Sequence, residues 1–196
     1  MLGDGNVVAI TWRDNRDGND WDVYVAVSTD GGSIFSERAG MATSQVEWDP
    51  DVVVDRFSTI HLGVMVYDSD GIGIYYTRSS DAGVTWTTPV KLTEYFSRFP
   101  FWVVDPRLDV IWLFWKDERD RTSDTDVQAD IAAKYSTDYG DSWSALERVT
   151  DEGALEVRFP SPALGPNGTV YLTWSDERSG SDENEQVFFS SRTVLY

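Results

Sequence analysis

The sequence predicts an all-β chain built of repeated four-stranded antiparallel units. Three observations predict it. An eight-residue turn of pattern S-x-D-x-G-x-[TS]-[WF], broken only by Ile34 at the seventh position of the first copy, begins at Ser28, Ser79 and Ser136, with starts 51 and 57 residues apart. Its Asp30, Asp81 and Asp138 are suited to accept loop N–H groups, and its fifth position (Gly32, Gly83, Gly140) can take φ > 0. An apolar, β-branched run ending in an aromatic and an acidic loop recurs at 7–14, 60–68, 110–117 and 170–176. Six-residue runs opened by Pro50, Pro100 and Pro160 align without gaps. A fixed period near fifty residues signals repeated sheets, not a sandwich.

The elements follow in order. Each Pro opens a first strand, where its missing N–H lies outside the ladder. Turn residues follow, clearest at Gly165-Pro166-Asn167-Gly168. The aromatic-ended runs are second strands by their β-branched and aromatic content. Third strands are expected at 22–27, 72–78, 129–135 and 186–190; Val23, Val25 and Val27 alternate with Tyr24 and Ala26, as in a sheet packed on both faces. The eight-residue turn then leads into a fourth strand, at 87–93 and 144–150 in the two full units. The terminal aromatics Phe35, Trp86 and Trp143 should fold under their turns as anchors. The last copy, 190–194, has lost the Asp and Gly positions. Units of three, four, four and three strands result, at about 1–48, 49–98, 99–158 and 159–196. They read as blades of a β-propeller of about four units, the first and last incomplete. The chain closes a small ring, is a segment of one, or pairs with another chain; open blade edges favour association, a homo-oligomer completing the propeller.

Composition narrows the partners. The net charge is −18, with 34 acidic against 16 basic residues and only three Lys (Lys91, Lys116, Lys134). This argues against nucleic acid and anionic membranes, which need clustered cations. There is no Cys, hence no disulfide or thiolate metal site. Residues 1–6 lack the basic and apolar regions of a signal peptide. His61 is the single histidine and lies in an apolar strand, which disfavours Ser-His-Asp chemistry.

In an antiparallel blade the 3→4 turns sit at one end, and the 2→3 loops and 4→1 connections at the other. The unusual residues gather at the second end. Trp12/Asp14/Arg16, Trp115/Asp117/Arg119 and Trp174/Asp176/Arg178 share W-x-D-x-R. Arg16, Arg119 and Arg178 either form a charged rim for a polyhydroxyl ligand or brace each loop against the neighbouring blade. The repetition favours bracing, because a site is asymmetric and a scaffold repeats. Asp14, Asn15, Asp17 and Asp20 around Gly18 offer oxygen ligands for calcium, without a bidentate Glu; no cofactor is required. The 4→1 connections bring Glu47, Arg98, Glu156 and Arg158. Trp21, Trp48 and Trp102 are candidates for stacking on sugar rings.

The turn resembles the Asp-box, or bacterial neuraminidase repeat, of sialidases and related propellers. The resemblance covers nearly the whole chain. It implies a structural role for Ser28, Asp30, Gly32, Phe35, Ser79, Asp81, Gly83, Trp86, Ser136, Asp138, Gly140 and Trp143, a functional face opposite the turns, and an extracellular or cell-surface location. Arg98-Phe99-Pro100 and Arg158-Phe159-Pro160 resemble the Arg-Ile-Pro element that binds a substrate carboxylate in sialidases, but the Pro already belongs to the strand repeat. A sialidase also needs a Tyr nucleophile paired with Glu, a third Arg and an Asp acid, and no Tyr can be placed in that role. The resemblance specifies the fold and not the activity, because one fold hosts many functions. The expected function is a non-catalytic glycan- or protein-binding propeller, with an exo-glycosidase of sialidase type and a purely structural assembly as alternatives.

Overall fold

The computed structural model describes residues 6–16, 18, 20–43, 45–94, 96–120, 128–150, 157–177 and 186–193. None of them is helical. Fourteen strands form four antiparallel sheets. The first holds β1 (Val8–Asp14), β2 (Asp22–Ser28) and β3 (Ser36–Met41). The second holds β4 (Val46–Val54), β5 (Ile60–Asp68), β6 (Gly71–Ser79) and β7 (Val90–Lys91). The third holds β8 (Ser97–Asp105), β9 (Val110–Asp117), β10 (Asp130–Ser136) and β11 (Glu147–Arg148). The fourth holds β12 (Val157–Leu164), β13 (Thr169–Asp176) and β14 (Gln186–Thr193). Every sheet is a meander in chain order, the strand arrangement of a propeller blade.

The first strands begin earlier than the prolines suggest. β4, β8 and β12 start at Val46, Ser97 and Val157, and the register slips between Trp48 and Asp51, Arg98 and Phe101, and Arg158 and Ser161. Pro50, Pro100 and Pro160 thus lie inside bulges, where a missing N–H breaks no ladder bond. Asp49 and Phe99, each just before its proline, adopt positive φ of 42° and 54°. The bulge carries Glu47, Arg98 and Arg158 into the ladder with the next strand and out of the loops.

The fourth strands are shorter than expected because side-chain hydroxyls take part of their ladder, while single backbone bonds such as Leu92 N to Ile74 O at 2.8 Å remain. Thr93 Oγ1 accepts Ile74 N at 2.9 Å and Thr150 Oγ1 accepts Ile131 N at 3.2 Å. Toward the other end, Thr87 Oγ1 and Ser144 Oγ accept Arg78 N and Tyr135 N, each at 3.1 Å.

Each seam between sheets has its own apolar core, because alternate residues of a strand face opposite neighbours. Val23, Val25 and Val27 meet Ile60, Leu62 and Val64 across the first seam. Ile74 and Tyr76 meet Trp102, Ile111, Leu113 and Trp115 across the second. Trp112 and Phe114 meet Val170, Leu172 and Trp174 across the third. Among the described residues the outer faces of the end sheets have no cover: Ile10 is 50% exposed and Val187 79%.

The three eight-residue turns have one wiring. Asp30, Asp81 and Asp138 each accept the hydroxyl of the preceding Ser at 2.7–2.8 Å. Those Ser hydroxyls accept the N–H of Gly32, Gly83 and Gly140 at 2.8–2.9 Å. Thr85 and Ser142 add a hydroxyl bond to Asp81 and Asp138, at 2.6 and 2.5 Å, which Ile34 cannot. The Thr85 hydroxyl, with the Thr85 N–H and the Ser79 hydroxyl, brings Asp81 down to about 2.

The second and third turns also seat on the preceding sheet. A Cβ on Gly83 would lie 3.3 Å from Val27 Cγ2, and the closest neighbour of Gly140 is Tyr76. Trp86 and Trp143 pack into the seam cores. Phe35, with no preceding sheet, stays 40% exposed, so only two of the three expected anchors are sunk. His61 lies within the second sheet, fully buried between Tyr76 Oη at 2.8 Å and Asp55 Oδ2 at 3.3 Å.

Candidate functional site

Strand register separates two ends. Val8 opposite Ser28, Ile60 opposite Ser79 and Ile111 opposite Ser136 mark the turn end. Asp14 opposite Asp22, Asp68 opposite Gly71, Asp117 opposite Asp130 and Asp176 opposite Gln186 mark the other. Glu47 pairs with Val66, Arg98 with Lys116 and Arg158 with Ser175, so the first-strand candidates share that second end.

Most charged candidates there are internally satisfied. Asp14 accepts Arg16 Nη2 at 2.6 Å, Arg16 N at 2.8 Å and Trp12 Nε1 at 3.4 Å. Asp117 repeats this with Arg119 Nη2 at 2.6 Å, Arg119 N at 3.1 Å and Trp115 Nε1 at 3.0 Å. The Arg16 hydrogen bonds hold the Asp14 carboxyl below the usual carboxylate range. The brace is therefore local: each Arg closes on the Asp two residues before it, and Arg16 also reaches Glu37 of its own sheet, not a neighbouring blade. In the third copy Trp174 Nε1 is buried without a partner among the described residues, and Arg178 lies outside them.

A second repeated pair crosses the first two strands. Arg98 Nε donates to Glu118 at 3.0 Å, and Arg158 Nη2 lies 3.1 Å from Glu177. Glu156 and Asp17 lie outside the described residues. Asn15 is exposed, its carbonyl accepting Gly18 N at 2.8 Å. No three His, Asp or Glu side chains among the described residues could together hold a metal ion.

The repeat breaks at one place, the second sheet beside the first. Counting from the prolines, Trp48 stands where the third and fourth sheets have Arg98 and Arg158, and Glu47 where they have Ser97 and Val157. The W-x-D-x-R pattern is missing here too: Asp68 accepts Lys91 Nζ at 2.6 Å and Tyr75 Oη at 2.7 Å. Arg13 of β1 lies over the Trp48 ring at 3.6 Å and near the Trp21 ring at 4.9 Å. The two indoles are 6.1 Å apart, and Tyr67 meets Trp48 edge-on at 6.4 Å. Cation–π attraction holds this stack, yet among the described residues Arg13 Nη1 is buried without a hydrogen-bond partner.

Two carboxyls accompany the stack. Glu47 is fully buried; Thr43 N donates to its Oε1 at 3.2 Å, joined by the Thr43 hydroxyl, while Oε2 has no partner. Burial, reinforced by the charges of Asp22 and Asp20, pushes Glu47 up to about 7. Burial also raises Asp49, against the pull of Arg13 and Arg98 on either side of it. Trp21 and Trp48 are half-buried as a sugar platform requires, but Trp102 is 5% exposed and belongs to the core between the second and third sheets. Sequence reading missed Arg13, because it sits beside the repeated Asp14 and shows no pattern of its own.

No family model matches the chain, and no curated protein does. Solved structures do. The Hadza microbial sialidase Hz136 aligns over 96% of this chain and 43% of its own length, at 18% identity and a TM-score of 0.67. An α-L-arabinofuranosidase of Fusarium graminearum aligns over 94% and 57%, at 19% identity and a TM-score of 0.64. The Trypanosoma rangeli sialidase aligns over 96% and 35%, at 14% identity and a TM-score of 0.58. The chain spans about half the length of such proteins or less. At these identities the likeness is one of fold: the chain has the β-propeller fold shared by sialidases and other carbohydrate-active enzymes.

Proposed function

We propose that this chain is a sialidase-like Asp-box propeller unit that binds a glycan, without catalysis, on the face opposite the Asp-boxes. The observation that carries the reading is the break in the repeat at Arg13, Trp21, Trp48 and Tyr67. Two half-buried indoles offer stacking surface, and Arg13 retains an unspent donor, which together suit a sugar with polar substituents. Arg16, Arg98, Arg119 and Arg158 are committed to carboxylates and act as scaffold around it. A protein ligand on the same face is the alternative occupant. Calcium at the first 2→3 loop is not needed, since Asp14 is engaged by Arg16 and Trp12. A secreted or surface location accords with this reading.

The test is a glycan array on the whole chain, followed by calorimetry on any hit. Trp48→Ala is expected to weaken binding by about 1–3 kcal/mol, the usual worth of an aromatic stacking partner. An array with no hits, or a hit unaffected by Trp48→Ala, removes the proposal. The exo-glycosidase alternative draws on the near-neutral Glu47. Turnover of a fluorogenic sialoside that disappears in Arg98→Ala would replace binding with catalysis.

The uncovered end faces support a further part of the proposal, a second copy completing the array. Tyr171 and Phe189 stack at 5.7 Å on the open face of the fourth sheet, the kind of apolar surface that every internal seam buries. Light scattering is expected to give at least twice the chain mass, and a monomer at high micromolar concentration refutes association.

A further inference from the structure

A second feature lies at the outer edge of the seam between the second and third sheets. A cleft of about 460 Å³ opens between β7 and β10, lined by Lys91, Thr93, Glu94, Arg119, Lys134 and Leu146. Two of the three lysines in this strongly acidic chain meet there. Lys91 is neutralised by Asp68 at 2.6 Å, and a Cβ on Gly73 would come 2.5 Å from the Lys91 stem, so the glycine makes room for it. Arg119 gives Nε and Nη2 to Asp117, leaving Nη1 outside that pair.

Lys134 is different. Its Nζ donates to the Leu92 carbonyl at 2.7 Å, and among the described residues no carboxylate comes within ion-pair distance. One carbonyl occupies one of three ammonium donors. Partial burial, together with the opposing charge of Arg119, holds the Lys134 amine below its ordinary range, although Glu94 pulls the other way. Glu94 is exposed and makes no ion pair with either cation. Arg119 is thus paired with Asp117, whereas Lys134 faces the same cleft with no ion pair among the described residues and with ammonium donors to spare.

We propose that this cleft binds a small oxyanion, a carboxylate or sulfate group on a molecule up to the size of a monosaccharide, between Lys134 Nζ and Arg119. The volume falls within the range of small-ligand clefts. The site is separate from the Trp21–Trp48 stack and stands whether or not that face binds glycan.

Calorimetry on the whole chain, with sodium sulfate and sodium glucuronate at ionic strength fixed by sodium chloride, tests it. Saturable binding at one site is expected. Lys134→Met should weaken it about tenfold or more, the loss of one charge-assisted hydrogen bond. Glu94→Gln should tighten it, and Trp48→Ala should leave it unchanged. Tighter binding of sulfate assigns the oxyanion alone; tighter binding of glucuronate assigns a sugar acid. Amine acetylation of the wild-type chain, read by mass spectrometry, avoids any folding defect: the anion should slow labelling of Lys134 and not of Lys116. No saturable heat with either anion, equal affinity in Lys134→Met, or labelling indifferent to anion overturns the proposal.

Discussion

Trp102→Ala is expected to destabilise the chain by about 3–5 kcal/mol, the range for removing a buried aromatic from a core that cannot collapse around the gap. Trp102 is held on every side. Its ring lies 5.6 Å from Tyr76 and 5.5 Å from Trp143, while its backbone N–H, which the substitution keeps, donates to Asp51 at 2.9 Å. A Cβ on Gly63 would come 2.5 Å from its Nε1, so that glycine exists to admit the indole. The loss therefore opens the seam between the second and third sheets and leaves Trp143 unsupported beneath its turn. In a chain of this size the melting temperature should fall by about 6–20 °C. Urea or thermal unfolding checks it. A loss below about 1 kcal/mol would mean that the seam repacks and that Trp102 is no keystone. Trp48→Ala provides the contrast, since a half-buried ring outside the cores should affect binding more than stability.

Gly140→Ala and Gly32→Ala separate two costs at equivalent places in the repeat. Both glycines have positive φ, +86° and +93°. Each alanine thus incurs backbone strain of about 1–2 kcal/mol. At Gly32 the nearest atom to a new Cβ is Phe35 Cζ at 3.9 Å, an ordinary contact without overlap. At Gly140 the new Cβ would overlap the Tyr76 hydroxyl, which is fixed by His61 at 2.8 Å. Overpacking adds about 1–3 kcal/mol there. Gly140→Ala should therefore cost about 2–5 kcal/mol and Gly32→Ala about 1–2 kcal/mol, measured by urea unfolding. Equal costs would show that the turn does not seat on the preceding sheet.

These contrasts mark the limits of sequence reading. The turn wiring was legible because it is local: Ser28, Asp30 and Gly32 are within hydrogen-bonding reach of one another in any chain that turns there. The strand meander was legible because two-residue alternation and turn spacing repeat. The strand starts were misplaced because a proline reads as a boundary, whereas here a bulge absorbs it and the ladder continues upstream. Trp102 looked like a sugar platform because sequence gives the size of a ring but not the sheet it faces. The Asp–Arg braces were foreseen as pairs but assigned to the wrong span, because Arg16 and Arg119 close on near neighbours before reaching another blade.

By itself the sequence determined the all-β class, the four-unit periodicity and the end of the array that carries its unusual residues. Those properties rest on local geometry and on period. Only the tertiary structure decided which charges are already spent, where Arg13 stacks with its Nη1 unpaired and where Lys134 has no ion pair among the described residues. Such properties depend on which sheets meet across a seam. Two residues thirty-five apart, Arg13 and Trp48, become neighbours only when burial of the apolar faces brings the first and second sheets together.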